Sequence, residues 1–298
     1  MSRIFEAFQN YQEDLKSANG SMLDPKAPSV GTEDEHPLHP ILSHACYKRV
    51  AIQVPKGAPL VFLDQSAVVS EQYRLLRTNI TQLPTRPRSI AVSSAVAGDG
   101  KTITATNLAG FFAIKKDVRV LLIDADLRQR ALTQNTGCRD AAGLSDLLRG
   151  AATLAEAVIQ VDQVPNLYVL PAGKARGNPA ELLDSKRWSD LIRDLKSEFD
   201  YVFLDTTPIT AVADCRIVQE VADGTLLVVR PEHTSRAALV KILQEDVQHK
   251  LLGIVVNGCK DWFLWKSLES YGYYAAPDHE LEKKPSRWTS LFKRKDDR

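Results

Sequence analysis

Residues 95–102, AVAGDGKT, form a glycine-containing segment between the apolar stretch SIAVSS and a helical pattern. A loop in this position can surround nucleotide phosphates with its backbone N–H groups, and the following helix N-terminus adds positive potential. In that arrangement Lys101 reaches the terminal phosphates and the Thr102 hydroxyl binds Mg²⁺. Ala95 replaces the first Gly of GxxxxGK(S/T), so we expect ordinary backbone angles there. The alternative is a simple turn with an incidental lysine.

Strand and helix patterns alternate around this loop. Short apolar segments rich in β-branched residues, typical of strands buried on both faces of a parallel sheet, occur at 89–94, 118–124, 167–173, 201–205, 224–230 and 251–258. Helical patterns occur at 66–83, 102–116, 178–198 and 234–248. Right-handed βαβ units therefore predict one α/β domain over residues 88–258, a doubly wound, mostly parallel sheet of the P-loop NTPase type. Ligands of such sheets bind at the carboxyl ends of the strands.

Three aspartates follow predicted strands at that edge. Asp124 and Asp126 end the segment VLLIDAD, and Asp205 ends YVFLD. Carboxylates close to one another are unfavourable without a cation, and the Mg²⁺ that accompanies ATP supplies one. Taken singly, each aspartate fits a helix N-cap equally well.

Composition argues against several classes of function. The 298-residue chain has a formal net charge of +1, so no overall field favours nucleic acid. Its four cysteines form no CxxC pair, which favours a reducing cytosol over a disulfide framework or metal site. No apolar run approaches the roughly 20 residues that span a bilayer, and the N-terminus lacks a signal-peptide pattern. We therefore expect a cytoplasmic protein.

The flanking segments divide the chain further. Residues 1–17 have helical amphipathic spacing, and residues 18–65, rich in Pro, Gly, Ser and acidic residues, are predicted as a flexible linker and lead-in. The basic tail, residues 276–298, fits a weak contact with an anionic membrane or a solvated, disordered end.

Three tyrosines lie near the C-terminus among Gly, Ser, Glu, Pro and Asp rather than aliphatic neighbours: Tyr271, Tyr273 and Tyr274. This environment favours exposed side chains. The alternative is a buried aromatic cluster with Trp262, Phe263 and Trp265.

These motifs resemble those of the bacterial tyrosine autokinases of capsule and exopolysaccharide synthesis. AVAGDGKT, VLLIDADLR and VFLDTTP are similar to the Walker A, A′ and B motifs of that family, and the likeness extends over about residues 66–275, including the tyrosines. In EQYRLLRTNI, Glu71, Arg74 and Arg77 form the ExxRxxR pattern that builds a ring of subunits in the family. The alternative is a solvated helix with an i,i+3 Glu–Arg pair.

The resemblance implies phosphoryl transfer from ATP to tyrosine. The implied catalytic residues are Lys101, Asp124, Asp126 and Asp205, and the implied Mg²⁺ ligands are Thr102, Asp126 and Asp205. The expected ATP site consists of Gly98, Asp99, Gly100, Lys101, Thr102 and Ile103, with Asn257 at the adenine edge. The phosphoacceptors are Tyr271, Tyr273 and Tyr274. Asp124 is the candidate proton acceptor, although the sequence does not separate its role from that of Asp126. Asn257 fits a turn-forming Asn-Gly equally well.

The implied partners are other copies of the chain in a ring and a membrane-bound polysaccharide chain-length regulator that activates the kinase. They place the protein at the inner face of the plasma membrane, without nucleic acid. Two other functions remain open: a nucleotide-switched scaffold with little kinase activity, and a partitioning-type ATPase. The second is disfavoured because Val96 stands where partitioning ATPases carry the early Lys of KGGxGK(S/T).

Overall fold

The computed structural model describes residues 48–52, 60–64, 68–174, 177–211, 213–245 and 250–259. The predicted N-terminal helix, the three tyrosines and the basic tail lie outside the described residues.

The described residues contain eight strands in a single sheet and nine helices, all of which follow the first strand along the chain. The strands are β1 (Lys48–Val50), β2 (Ser89–Ser94), β3 (Val120–Asp124), β4 (Ile159–Val161), β5 (Leu167–Leu170), β6 (Tyr201–Asp205), β7 (Gly224–Val229) and β8 (Leu251–Val256). Their order across the sheet is β1-β4-β5-β3-β6-β2-β7-β8, and every neighbouring pair is parallel except β4 and β5. The predicted doubly wound, mostly parallel sheet is confirmed.

The helices of the described residues are α1 (Val68–Thr81), α2 (Lys101–Ala113), α3 (Ala131–Asn135), α4 (Leu144–Leu148), α5 (Leu154–Ala157), α6 (Pro179–Leu183), α7 (Lys186–Glu198), α8 (Asp214–Val221) and α9 (Arg236–Glu245). The pattern predicted as one helix over 178–198 is two helices. The break occurs because Ser185 caps a new helix, accepting a hydrogen bond on its Oγ from Trp188 N at 3.3 Å.

The two faces of the sheet bury separate apolar clusters. On one face, α2 is buried along almost its whole length, and Phe112 packs edge-on against Phe203 of β6 with ring centroids 5.2 Å apart. On the other face, Trp188 and Leu195 of α7 pack with Phe199. Because both faces are covered, the central strands β2, β3 and β7 are buried at every position.

The folded region begins before the predicted boundary at residue 66. The segment predicted as linker and lead-in contains β1, which pairs in parallel with β4, and the buried residues Leu60, Val61 and Phe62. These apolar side chains are part of the hydrophobic core beside α2. The sequence did not indicate this because the segment is otherwise rich in polar residues.

The strand order places the predicted motifs at one edge. β3, β6 and β2 are neighbours, with β7 and β8 beyond β2, so the carboxyl ends of these five parallel strands lie side by side. Among the described residues, no helix combines the length and apolarity that crossing a membrane requires.

Candidate active site

The loop between β2 and α2 turns through two glycines with left-handed backbone angles. Gly98 has a φ of 92° and Gly100 a φ of 97°. Ala95, which replaces the first glycine of the motif, does not have a positive φ, as expected. A Cβ atom at Gly100 would lie 2.1 Å from Asn257 Nδ2. Both the backbone angle and the close contact therefore require glycine at position 100.

Asp99 organises this loop from within. Its side chain is completely buried; Oδ2 accepts a hydrogen bond from Val96 N at 3.0 Å, and Oδ1 lies 2.7 Å from His233 Nδ1 and accepts from Thr234 Oγ1 at 2.8 Å. Its carbonyl oxygen accepts from Asn257 Nδ2 at 2.8 Å. Neither His233 nor Thr234 was among the predicted site residues. The signal available in the sequence was their position, three and four residues beyond the Arg230 that follows β7 at the same edge.

Lys101 is held by the predicted carboxylates. Its Nζ lies 2.9 Å from Asp126 Oδ2 and 3.6 Å from Asp205 Oδ1, and the side chain is mostly buried. Burial by itself disfavours the charged amine, but attraction to Asp205 and Asp126 outweighs it and raises the pKa of Lys101. Lys101 therefore neutralises part of the carboxylate charge at this edge.

Asp124 and Asp205 end neighbouring strands in direct register. Asp124 Oδ2 accepts hydrogen bonds from Thr133 N at 2.8 Å and Thr133 Oγ1 at 2.6 Å. Burial, reinforced by the charge of Asp205, raises the pKa of Asp124 to about 7, against the opposing effect of Thr133. Burial also raises the pKa of Asp205 to about 6, although the Lys101 charge opposes this. The pair with Asp205 thus stabilises the charged form of Lys101, but it does not cancel the increase that burial causes in the pKa of Asp205.

The free oxygens at this edge suit a cation. Asp124 Oδ1 and both carboxylate oxygens of Asp205 are buried without a hydrogen-bond partner among the described residues. Thr102 Oγ1 lies 3.4 Å from Lys101 Nζ, beside the same group. Hard oxygen donors of this kind fit Mg²⁺. Within the described part of the chain, however, no cluster of three or more His, Cys, Asp or Glu side chains forms a metal cage by itself, so Mg²⁺ would also need phosphate oxygens.

Asp126 has two separate partners. Its Oδ1 accepts a hydrogen bond from Gln129 N at 3.0 Å, while Oδ2 accepts from Lys101. Arg128, two residues later, forms a bidentate pair with Asp214 at the start of α8, with distances of 2.7 and 3.1 Å. This pair joins the segment after β3 to the segment after β6.

The remaining predicted residues lie in different surroundings. Ile103 is half-buried in the first turn of α2. Asn257 contacts the phosphate loop through its side chain, and the following Gly258 has a φ of 73°, so the turn-forming geometry is also present. Whether Asn257 contacts adenine remains a prediction.

The ExxRxxR residues lie on α1, which packs against α2. Glu71 and Arg74 form the i,i+3 ion pair at 2.7 Å, and Arg77 Nη1 donates to the carbonyl oxygen of Phe111 in α2 at 2.8 Å. Both arginines therefore have bonds within their own chain, and their role between subunits remains a prediction.

Comparison with known proteins identifies the family. Residues 87–251 match a family model described as an AAA domain. The tyrosine-protein kinase YwqD of Bacillus subtilis (strain 168) is 38% identical over 228 residues, which cover 75% of this chain and 94% of that protein. This chain belongs to the bacterial tyrosine kinase family.

A solved kinase domain and a transport protein extend the comparison. The solved kinase domain of the Escherichia coli tyrosine kinase ETK superposes with a TM-score of 0.62 and 26% identity, covering 71% of this chain and 89% of that one. The succinoglycan biosynthesis transport protein ExoP of Rhizobium meliloti (strain 1021) is 37% identical over 175 residues, 57% of this chain but 22% of that protein. The relatives favour the kinase interpretation over the scaffold and the partitioning ATPase.

Proposed function

We propose that this tyrosine kinase transfers the γ-phosphoryl group of ATP to tyrosines of its own chain, with Tyr271, Tyr273 and Tyr274 as acceptors. One observation carries the proposal. Lys101 and the carboxylates of Asp126 and Asp205 meet beside the glycine loop, where Asp124 Oδ1 and both Asp205 oxygens are buried without a hydrogen bond from the described residues. Phosphoryl transfer depends mainly on positioning and charge neutralisation, which such a cluster provides.

The loop and Lys101 bind the nucleotide. Backbone N–H groups of residues 98–102 surround the phosphates, and the N-terminus of α2 stabilises their negative charge. Lys101 leaves Asp126 and contacts the terminal phosphates, so that one buried cation serves carboxylate and phosphate in turn. Thr102, Asp126 and Asp205 would hold Mg²⁺, which when bound neutralises phosphate charge as it develops.

Asp124 accepts the tyrosine proton. Its Oδ2 is fixed by two hydrogen bonds from Thr133, which leaves Oδ1 without a partner and with its orientation set. A free phenol has a pKa near 10 and is a poor nucleophile, so removal of its proton assists attack. The phenolic oxygen bonds to the γ-phosphorus, the bond from that phosphorus to ADP breaks, and the proton moves to Asp124 Oδ1.

The activity would regulate polymerisation and export of an exopolysaccharide or capsule. The likeness to YwqD and to the succinoglycan transport protein ExoP supports this role. The same likeness supports a membrane-bound chain-length regulator as activator, which would bring the kinase to the inner face of the plasma membrane. We propose that Glu71, Arg74 and Arg77 contribute to a ring of subunits, and that the basic tail adds a weak contact with anionic lipid.

Incubation of the purified chain with Mg-ATP, followed by mapping of phosphotyrosine, tests the transfer. The expected result is phosphate on the C-terminal tyrosines, lost in the triple Tyr→Phe variant. Asp124→Asn should keep nucleotide binding but reduce labelling by about 10²-fold or more, the range expected for loss of a general base. Nucleotide-dependent assembly without phosphotyrosine would instead support the scaffold, and ATP hydrolysis alone the partitioning ATPase.

A further inference from the structure

The phosphate loop contains a carboxylate that the transfer chemistry does not use. Asp99 lies between Gly98 and Gly100, is completely buried, and contacts the segment that follows β7 through its side chain. Its two carboxylate oxygens accept hydrogen bonds from three groups, one inside the loop and two from residues 233 and 234. The loop is therefore attached to a neighbouring strand end as well as to its own helix.

The turn after β7 is built to present these donors. Thr234 N and His233 N both donate to the carbonyl oxygen of Arg230, at 2.8 and 3.2 Å, and Thr234 Oγ1 accepts from Arg230 N at 2.9 Å. Glu232 has a φ of 66°, a left-handed backbone angle that a residue with a side chain rarely adopts. The turn thus has a defined conformation although most of its surface is exposed.

His233 contacts the loop in two ways. Nδ1 lies 2.7 Å from Asp99 Oδ1, and the imidazole tautomer with its proton on Nδ1 donates to this carboxylate oxygen. The ring also packs beside Gly98, where an added Cβ would lie 3.2 Å from His233 Cε1. The His233 side chain is 44% exposed, and its ring covers the outer side of the loop at Gly98, one of the two glycines with left-handed backbone angles.

We propose that His233 is a positioning residue that preorganises the phosphate loop for ATP. Without its hydrogen bond, Asp99 would lose its shortest contact, and the loop would occupy its binding conformation for a smaller fraction of the time. Apparent affinity falls in proportion to that fraction. Among the described residues, His233 has no hydrogen bond or ion pair with Lys101 or with the carboxylates of Asp124, Asp126 and Asp205. Its loss should therefore weaken ATP binding while leaving the rate at saturating ATP unchanged.

Two isosteric variants separate the hydrogen bond from ring packing. The amide nitrogen of asparagine can replace Nδ1, whereas that of glutamine replaces Nε2, so His233→Asn keeps the donor to Asp99 and His233→Gln displaces it. A hydrogen bond to a charged acceptor corresponds to about a tenfold or greater change in an equilibrium constant. His233→Gln and His233→Ala should therefore raise both the Kd of a ribose-labelled fluorescent ATP and the KM for ATP by about tenfold, with kcat unchanged within about twofold. His233→Asn should remain within about threefold of wild type.

The full-length chain is used throughout, and Gln244→Ala on the exposed surface of α9 is the matched control, expected to match wild type in all measurements. Equal nucleotide affinity in wild type, His233→Ala and His233→Gln would overturn the proposal. Weakened binding in all three His233 variants, without rescue by Asn and with lowered Tm, would also overturn it in favour of a packing role. The inference rests on the proposed nucleotide site. If wild type binds the ATP analogue but never phosphorylates tyrosine, only the proposed transfer is refuted. If tyrosine is phosphorylated and the His233 variants bind ATP as tightly as wild type, only the role of His233 is refuted.

Discussion

Replacing Lys101 by methionine should abolish tyrosine phosphorylation and also make the stability of the free protein strongly dependent on pH. The lysine is the cation of a buried group that includes Asp126 at 2.9 Å and Asp205 at 3.6 Å, both with fully buried side chains. Methionine preserves much of the side-chain volume but removes the charge. The variant would therefore leave carboxylates in the interior that must either remain ionised without a partner or take up a proton.

The sign of the pH effect follows from the raised pKa values of Asp124 and Asp205, about 7 and 6 with Lys101 present. Loss of the lysine charge should raise them further. A group whose pKa is higher in the folded than in the unfolded state stabilises the fold below its unfolded pKa, near 4 for a carboxyl, and that stability is lost as the pH rises toward the folded value. For one proton the slope is about 1.4 kcal/mol per pH unit.

These terms set the expected size. Removing one partner of a buried ion pair lowers the free energy of unfolding by about 3–5 kcal/mol. Near neutral pH the buried carboxylates can take up a proton, which limits the loss to about the same size. Lys101→Met should therefore be within about 1 kcal/mol of wild type near pH 5, and less stable by about 3–5 kcal/mol near pH 8. The free energy of unfolding is measured by urea denaturation in EDTA at both pH values.

The double variant Lys101→Met/Asp126→Asn is the matched control. Removing the carboxylate closest to the lysine should recover part of the stability near pH 8, because Asp124 and Asp205 remain, while kinase activity stays absent because the lysine is still missing. A difference between Lys101→Met and wild type that is the same at both pH values would refute the reasoning, since it would mean that the buried carboxylates gain nothing from the lysine charge.

Three further substitutions test local features of the fold and site. Gly100→Ala should weaken nucleotide binding at least tenfold, because the φ of 97° and the contact with Asn257 exclude a side chain; isothermal titration with ATP measures it, and unchanged affinity would contradict the assignment. Gly110→Ala should lower the free energy of unfolding by about 1–3 kcal/mol despite its better helix propensity, because the new Cβ would lie 2.3 Å from the Phe62 ring; urea denaturation checks this, and a more stable variant would be the contrary result. Ser185→Ala should cost about 1 kcal/mol by removing the cap of α7, measured in the same way, with no loss expected if α6 and α7 were one continuous helix.

The sequence predicted those parts of the fold whose signal is local. All six apolar segments are strands, and the convergence of Asp124 and Asp205 follows from parallel strand ends meeting at one edge. The strands β1 and β4 were missed because each has three residues, too few to establish a period, and β1 begins with the charged pair Lys48 and Arg49. The antiparallel pairing of β4 with β5 joins segments close together in the chain, and it could not be predicted because β4 itself was not recognised.

The organisation of the site was less predictable than its members. The glycine loop and three aspartates are recognisable from their positions, but the bond between Asp99 and His233 joins residues 134 apart in the chain. The Lys101–Asp126 pair was likewise unexpected, because the motif assigns the lysine to phosphates. Its cause is the buried carboxylate group, whose charge attracts the nearest cation.

Asn257 closes β8 against the loop that receives ATP, which has a consequence for how the kinase would meet its acceptor. Tyr271 follows Asn257 by 14 residues, a length of chain that spans at most about 50 Å when fully extended. Under the proposed transfer, the acceptor is tethered to a fixed point beside the nucleotide, and its effective concentration, in the millimolar range for short tethers, is set by this length. Self-phosphorylation would then report how often the ATP site is filled rather than how much kinase a cell contains.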